Sequence, residues 1–170
     1  MTERSVLRVV GSFGLVQYIL LLRIRDLPNR RTTTNGVDMS MRASGKFIIK
    51  SWDEKTYREI EPGGKLTKAS VTQQFVGDIE GDGDVEYLMA YSGDGSASFV
   101  GFTLVAGTLG GKKGSFVLQC SGTFEAGVAK SEWFVVRGSG RGELVGLSGT
   151  GGYTATHDAV ALTLEYEFAG

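Results

Sequence analysis

Hydrophobic and polar residues alternate with a period of two along much of the chain from Met41 onward. In the segment 160–168, apolar residues occupy every even position, and alanine, threonine or glutamate occupies every odd one. In the segment 66–79, Val71, Gln73 and Phe75 share one alternation, and the polar residues Lys68, Ser70, Thr72 and Gln74 share the other. Strict alternation is typical of a strand with one buried face. The pattern therefore predicts extended strands, and none of this part of the chain shows a convincing helical period.

Glycine-rich turns separate these predicted strands. The chain has 26 glycines but only two prolines, and turn signals recur every eight to twelve residues. In the segment 72–102 we expect three antiparallel strands joined by turns at Gly81–Asp84 and Ser92–Gly95, because glycine and aspartate favour chain reversal. Residues 53–65 are predicted to form a polar loop.

These signals predict about eight strands. Closure into a barrel would remove the exposed edges that so much sheet otherwise presents. The predicted fold is all-β, an eight-stranded antiparallel meander β-barrel. A barrel of this size has a lumen that is filled by side chains or holds one small ligand.

The first 38 residues are predicted to be an N-terminal extension outside the fold, disordered or loosely attached, and residues 39–170 form the barrel domain. The apolar run Val9–Leu22 has 14 residues, fewer than the roughly 20 that a membrane-spanning helix needs. No small-x-small cleavage site follows it. A translated upstream stretch or loose tail is favoured over a membrane-directed segment.

Composition excludes several classes of partner. A net charge of -1 over 170 residues offers no general attraction for nucleic acid or anionic lipid. One cysteine and one histidine cannot build an internal disulfide or a structural zinc site. We expect no cofactor and no metal, no nucleic-acid partner and no stable membrane span, and the cysteine content suits a reducing cytoplasm.

Two other groups invite chemical interpretations. Alternate acidic residues at 78–84 suggest calcium, but position twelve of that loop is Met89 instead of the required glutamate, which favours a solvated hairpin. Cys120 lies on an alternation with Phe116 and Leu118. A thiol in such surroundings is expected to be buried, with a raised pKa, and not to act as a nucleophile.

Glu86 is the candidate catalytic residue. It lies within an otherwise apolar strand, on the same alternation as Leu88. On an internal face its carboxylate would be desolvated and its pKa raised, which would suit a proton donor or acceptor. On an external face it would be a solvated cross-strand partner.

Four residues are candidate ligand contacts. Tyr87 and Tyr91 share the face opposite Glu86, where aromatic rings could hold a ligand and hydroxyls could orient it. Gln73 and Gln119 fall within strands, and a buried amide must find hydrogen-bond partners in a ligand or in the backbone. The alternative roles are packing of the barrel core for the tyrosines and backbone satisfaction for the glutamines.

Several runs carry a resemblance to a known family: 50–54 (KSWDE), 77–81 (GDIEG), 86–91 (EYLMAY), 110–119 (GGKKGSFVLQ) and 138–144 (GSGRGEL). Over Met41–Phe168 the chain resembles a bacterial family of unknown function that is grouped by structure with the allene oxide cyclase-like and dirigent barrels. The resemblance implies an eight-stranded barrel that often self-associates as a homo-oligomer. No plant cyclase motif matches residue by residue, and Cys120 stands where the family commonly has histidine.

Two functions remain open from the sequence. The first is a barrel that binds a small hydrophobic or amphipathic molecule in its lumen and promotes cyclisation or isomerisation by holding a reactive substrate away from water. The second is a non-catalytic structural or oligomerising barrel with a filled interior. A connected pocket of roughly 300 Å³ or more would favour the first hypothesis.

Overall fold

A computed structural model of the chain describes residues 40–169. The extension predicted over residues 1–38 therefore lies outside the described residues. The described part contains strands and turns, and none of its residues is helical. The strands are β1 (Met41–Ile60), β2 (Gly64–Gly77), β3 (Ile79–Tyr91), β4 (Ala97–Leu109), β5 (Lys112–Glu125), β6 (Val128–Val135), β7 (Arg141–Gly142), β8 (Leu147–Ala155) and β9 (Val160–Phe168).

The strands form one antiparallel sheet that closes into a ring. Consecutive strands pair from β1 to β6, β6 pairs with β8, and β8 pairs with β9. Pairing of Met41–Gly45 with Leu162–Tyr166 joins β1 to β9 and completes the ring. The predicted all-β antiparallel fold is confirmed. The count is nine because the two residues of β7 pair with the start of β5.

The inner face of the ring is the hydrophobic core. The alternation predicted for 66–79 is confirmed, with Val71, Gln73 and Phe75 buried and their neighbours exposed. Residues 160–168 follow the same rule, with Leu162, Leu164 and Tyr166 buried. Strands β2 and β9 therefore direct every second side chain into the ring, as a curled sheet requires.

The first predicted turn is wrong. The chain reverses at Asp78, and Gly81–Asp84 lies inside β3. Gly83 is there to make room, since a Cβ on it would lie 2.7 Å from a ring carbon of Phe75 and 2.9 Å from Cγ of Gln73. The second predicted turn, Ser92–Gly95, is confirmed between β3 and β4.

The polar loop predicted over residues 53–65 is also wrong. Strand β1 continues to Ile60, and only residues 61–63 form the turn to β2. A register shift between Ile49 and Ser51 marks a β-bulge in β1. Because a bulge inserts one residue, it exchanges the faces of the strand beyond it. Trp52 and Glu54 consequently lie on the inner side.

The outer face of the ring is unusually apolar over neighbouring strands. Leu88, Val100, Phe102 and Leu104 are each 45–52% exposed, and Phe134 is 44% exposed. Val100 and Phe102 pair with Leu88 and Glu86 on β3. Self-association of the chain stays a prediction. Among residues 40–169 no helix has the length and apolar character needed to cross a bilayer.

Candidate ligand-binding cavity

A cavity of about 240 Å³ lies inside one end of the ring. Tyr91 and Ala155, the last residues of β3 and β8, belong to its wall. Larger depressions, such as one of about 820 Å³ beside Val100 and Glu132, are lined mainly by outward-facing residues of the sheet. The cavity at the end of the ring is lined by Phe47, Ile49, Trp52, Val71, Gln73, Tyr87, Met89, Tyr91, Phe99, Phe124, Ala129, Tyr153 and Ala155.

The cavity opens to solvent through a partly exposed apolar rim. Among its lining residues, Ile49 is 50% exposed, Trp52 45% and Phe124 37%. Deeper lining residues, including Val71 and Phe99, are 3% and 6% exposed. An apolar molecule that enters past this rim would pass from water into a space walled by buried side chains.

Aromatic rings form most of the wall. Trp52 stacks on Tyr87 with ring centroids 6.0 Å apart, and Phe99 meets Tyr87 edge-on at 5.4 Å. Across the lumen, Phe47 meets Tyr153 edge-on at 5.0 Å. Such contacts restrict the orientations of the rings and give the cavity a defined shape.

The hydroxyls of Tyr87 and Tyr153 lie 3.4 Å apart within the lumen. Burial is the main cause that raises the pKa of Tyr87 far above its ordinary value. Burial also raises the pKa of Tyr153 to about 12. Both hydroxyls therefore stay protonated near neutral pH and act as hydrogen-bonding groups, not as bases.

Gln73 places an amide among these apolar walls. Its residue is 4% exposed and lines the cavity. Within the described part of the chain, its side chain makes no hydrogen bond. Its cross-strand neighbour on β3 is Gly83, which has no side chain to cover the amide. The donor and acceptor of Gln73 are thus left for the contents of the cavity.

Glu54 places a carboxylate beside the rim. It accepts hydrogen bonds from Thr67 Oγ1 at 2.6 Å and from the indole nitrogen of Trp52 at 2.9 Å. Burial alone would raise its pKa, but the hydrogen bonds from Thr67 and Trp52, with the nearby Tyr91 hydroxyl and the charge of Lys65, hold the pKa below its ordinary value. The group is therefore ionised near neutral pH.

Tyr91 stands between this carboxylate and the cavity. Burial, followed by the neighbouring Glu54 carboxylate, raises the pKa of Tyr91 to about 12. The Nζ of Lys65 lies 4.9 Å from the centre of the Tyr91 ring. Tyr91 is thus a protonated group at the boundary between the charged rim and the apolar lumen.

The structure brings together three of the five predicted site residues. Gln73, Tyr87 and Tyr91 all line the cavity. Gln119 is exposed on the outer face, where it pairs with Phe102 and Phe134. It has no access to the lumen, because its neighbours Leu118 and Cys120 take the inward positions.

Glu86 also lies on the outer face of the ring. The internal position that its predicted catalytic role required is therefore wrong. Its carboxylate accepts a hydrogen bond from Ser70 at 2.8 Å and pairs with Lys68 at 3.1 Å. The hydrogen bond from Ser70 is the main cause that lowers its pKa. Glu86 is the solvated cross-strand partner that the alternation left open.

The other groups considered in the sequence are accounted for. Cys120 is buried in the lumen wall, and burial raises the pKa of its thiol to about 11. Glu80, Asp82 and Asp84 are exposed along β3. Across residues 40–169 no three His, Cys, Asp or Glu side chains are grouped to hold a metal ion.

The sequence did not reveal Trp52, Glu54 or Tyr153 as site residues. Trp52 and Glu54 face inward only because of the bulge after Ile49, and the local sequence gives no signal for that bulge. Tyr153 lies in a glycine-rich segment with irregular alternation. Its partner Tyr87 is 66 positions away, so only ring closure shows their proximity.

Comparisons with known proteins place the chain among β-proteins of unknown function. A family model described as "Protein of unknown function (DUF3224)" matches residues 43–166. The crystal structure of a DUF3224 protein of unknown function from Shewanella oneidensis MR-1 has a TM-score of 0.65 and 29% sequence identity. The match covers 77% of this chain and 99% of that protein. No curated protein matches the chain.

Proposed function

The chain belongs to the DUF3224 family, and on that premise we propose that the cavity inside its strand ring binds a small hydrophobic or amphipathic molecule. The observation that carries the proposal is an aromatic-lined space that the inward side chains leave open at one end of the ring. The predicted grouping with the allene oxide cyclase-like barrels is not needed for it.

Volume sets the size of the ligand. The cavity of about 240 Å³ is smaller than the roughly 300 Å³ at which usual small-molecule pockets begin, so its volume alone does not favour binding over a filled interior. It is larger than the apolar cavity of about 150 Å³ that admits benzene. The volume therefore suits one ring with a short substituent, and a long acyl chain would extend through the rim.

The walls and the rim support binding over a purely structural interior. A filled ring needs no exposed apolar entrance, yet Trp52 and Ile49 are about half exposed beside the cavity. Burial of a ligand's apolar surface against these rings is favourable, at roughly 25 cal/mol per Å². The second hypothesis, a structural ring with a filled interior, predicts that no small molecule enters.

A cyclase or isomerase would use the same cavity. The raised pKa values of Tyr87 and Tyr153 leave their hydroxyls protonated, so they would orient a substrate and not remove its protons. The proposal is accordingly one of binding, with Gln73 and Tyr91 as further contacts.

The test is native mass spectrometry of the protein purified from its own host, with detection of any retained small molecule. Ala129→Phe would fill the cavity, because Ala129 lines it. Ala161→Phe is the matched control, since Ala161 is exposed on the outer face of β9. Circular dichroism would verify that both variants fold.

We expect the adduct in the wild type and in Ala161→Phe, and its loss in Ala129→Phe. Tyr91→Phe should weaken the adduct, and Glu86→Gln should leave it unchanged, because Glu86 is outside the ring. Equal retention in the two phenylalanine variants would place the molecule outside the lumen and refute the proposal.

A further inference from the structure

We infer that the ligand of this cavity is uncharged and carries a hydrogen-bond donor and acceptor side by side, as a carboxamide or lactam does, and that Gln73 recognises this group. The inference rests on the proposed binding function and adds the chemical class of the ligand.

The amide of Gln73 has no hydrogen-bond partner in the described part of the protein. The residue is 96% buried, since its exposed fraction is 4%, and it lines the cavity. Within residues 40–169 no fully buried side-chain nitrogen or oxygen lacks a hydrogen-bond partner. The amide atoms of Gln73 therefore face the accessible space of the cavity, and protein amides in such sites are almost always paired. A ligand group in the cavity would supply the missing partners.

The amide of Gln73 presents a hydrogen-bond acceptor and a donor side by side. Gln73 offers a carbonyl oxygen that accepts and an NH₂ group that donates. A ligand carboxamide offers the same two functions and can form two parallel hydrogen bonds with it. Gly83, directly opposite on β3, lets the Gln73 side chain lie against the strand, since a Cβ there would lie 2.9 Å from Cγ and 3.3 Å from Nε2 of Gln73.

The lining of the cavity excludes an anionic ligand group. None of the lining residues is a lysine or arginine, so a carboxylate would be buried without a counter-ion, which is strongly unfavourable. The nearby cation Lys65 is placed over the Tyr91 ring at 4.9 Å. The Glu54 carboxylate, which accepts a hydrogen bond from Trp52 at the rim, would repel a second negative charge.

The lining and the NH₂ group of Gln73 also disfavour a cationic ligand. Aromatic walls attract cations, but an ammonium group has no acceptor for the NH₂ of Gln73. No carboxylate is among the lining residues, and Glu54 already accepts bonds from Thr67 and Trp52. A neutral donor–acceptor group pairs with both the oxygen and the NH₂ group of Gln73, and a cation pairs only with the oxygen.

The test uses four probes of equal ring size: benzamide, benzoate, benzylammonium and toluene. Each is titrated into the full chain while NMR follows the indole resonance of Trp52, which lines the rim. The variant is Gln73→Leu. Its matched control is Gln74→Leu, because Gln74 is the next residue and is exposed on the outer face.

We expect benzamide to bind about tenfold tighter than the other three probes, because its paired hydrogen bonds with Gln73 add about that much affinity. Gln73→Leu should reduce benzamide affinity about tenfold, to the level of toluene. It should leave toluene affinity unchanged or higher, and Gln74→Leu should change neither. Unfolding in urea checks that Gln73→Leu folds, and its midpoint should equal or exceed that of the wild type, because an apolar side chain replaces an amide that has no partner in the protein.

The outcomes separate the two proposals. Toluene binding without a preference for benzamide, or benzamide affinity that survives Gln73→Leu, would overturn the role of Gln73 and leave the binding function intact. Tighter binding of benzoate or benzylammonium would overturn the uncharged class. Absence of binding by all four probes, toluene included, would overturn the binding function and this inference with it.

Discussion

The indole nitrogen of Trp52 donates a hydrogen bond to the Glu54 carboxylate over 2.9 Å, which links two residues of β1 that share its inner side. The same indole stacks on Tyr87. One ionised group thus holds the most exposed aromatic ring of the cavity rim in place. The position of Trp52 should therefore depend on the charge of Glu54.

The stability conferred by Glu54 should depend on acid pH. Its pKa in the folded chain lies below the ordinary value of 4.5, so the folded state binds fewer protons than the unfolded state. Its contribution is present above pH 4.5 and is lost as the pH falls below that value. Between about pH 6 and about pH 3, the urea midpoint of the wild type should fall more steeply than that of Glu54→Gln.

Glu80→Gln is the control for this experiment, because Glu80 is exposed on β3 and should keep the wild-type pH dependence. Trp52 fluorescence should also change in Glu54→Gln at neutral pH. Identical pH profiles for Glu54→Gln and the wild type would contradict a stabilising role for the ionised carboxylate.

Two phenylalanines test which side of the sheet is the core. Phe75 is 0% exposed and Phe102 is 52% exposed. Phe75→Ala should lower the free energy of unfolding by about 3–5 kcal/mol, because it leaves a cavity in the packed interior. Phe102→Ala should change it by no more than about 0.5 kcal/mol. Urea unfolding measures both, and equal losses would show that the outer face is also buried in solution.

Gly83 should not tolerate a side chain. A Cβ at this position would lie 2.7 Å from Phe75 and 2.9 Å from Gln73, so Gly83→Ala should destabilise the chain by about 1–3 kcal/mol through overpacking. Gly93→Ala is the control, because the nearest atom to its Cβ would be 3.4 Å away in an exposed turn. A neutral effect of Gly83→Ala in urea unfolding would mean that Gln73 can move aside.

Cys120 should be unreactive in the folded chain. The chain has one cysteine, which makes thiol labelling unambiguous. Burial raises its pKa to about 11, so the reactive thiolate is scarce near pH 8 and the sulfur is also shielded. Labelling by a disulfide reagent should follow unfolding, whereas a Cys120→Ser, Ser98→Cys variant should react at once, because Ser98 is exposed. Rapid labelling of native Cys120 would contradict this account.

Much of the fold follows from local patterns. Alternation along 66–79 and 160–168 correctly assigned the buried residues of β2 and β9, because a strand directs successive side chains to opposite faces. It also separated Tyr87 and Tyr91 from Glu86. It did not show which of those faces is internal, because Leu88 and Phe102 make the outer face apolar as well.

Glycine was the main source of error. At Ser92–Gly95 a glycine-aspartate run is a turn, but at Gly81–Asp84 a similar run is part of a strand. The difference lies in the neighbours, since Gly83 is opposite Gln73 and beside Phe75. Those residues come from another strand, so the local sequence does not show that a side chain at position 83 would clash with them.

The sequence alone determined that the strands are extended, and it determined which alternate residues share a face. It also contains no metal-binding motif. Tertiary structure alone decided which face became the lumen, where β1 bulges to turn Trp52 and Glu54 inward, and that Tyr87 meets Tyr153. The physical reason is range. Strand geometry depends on neighbouring residues, whereas a cavity exists only after the pairing of β1 with β9 closes the ring and leaves part of its interior unfilled.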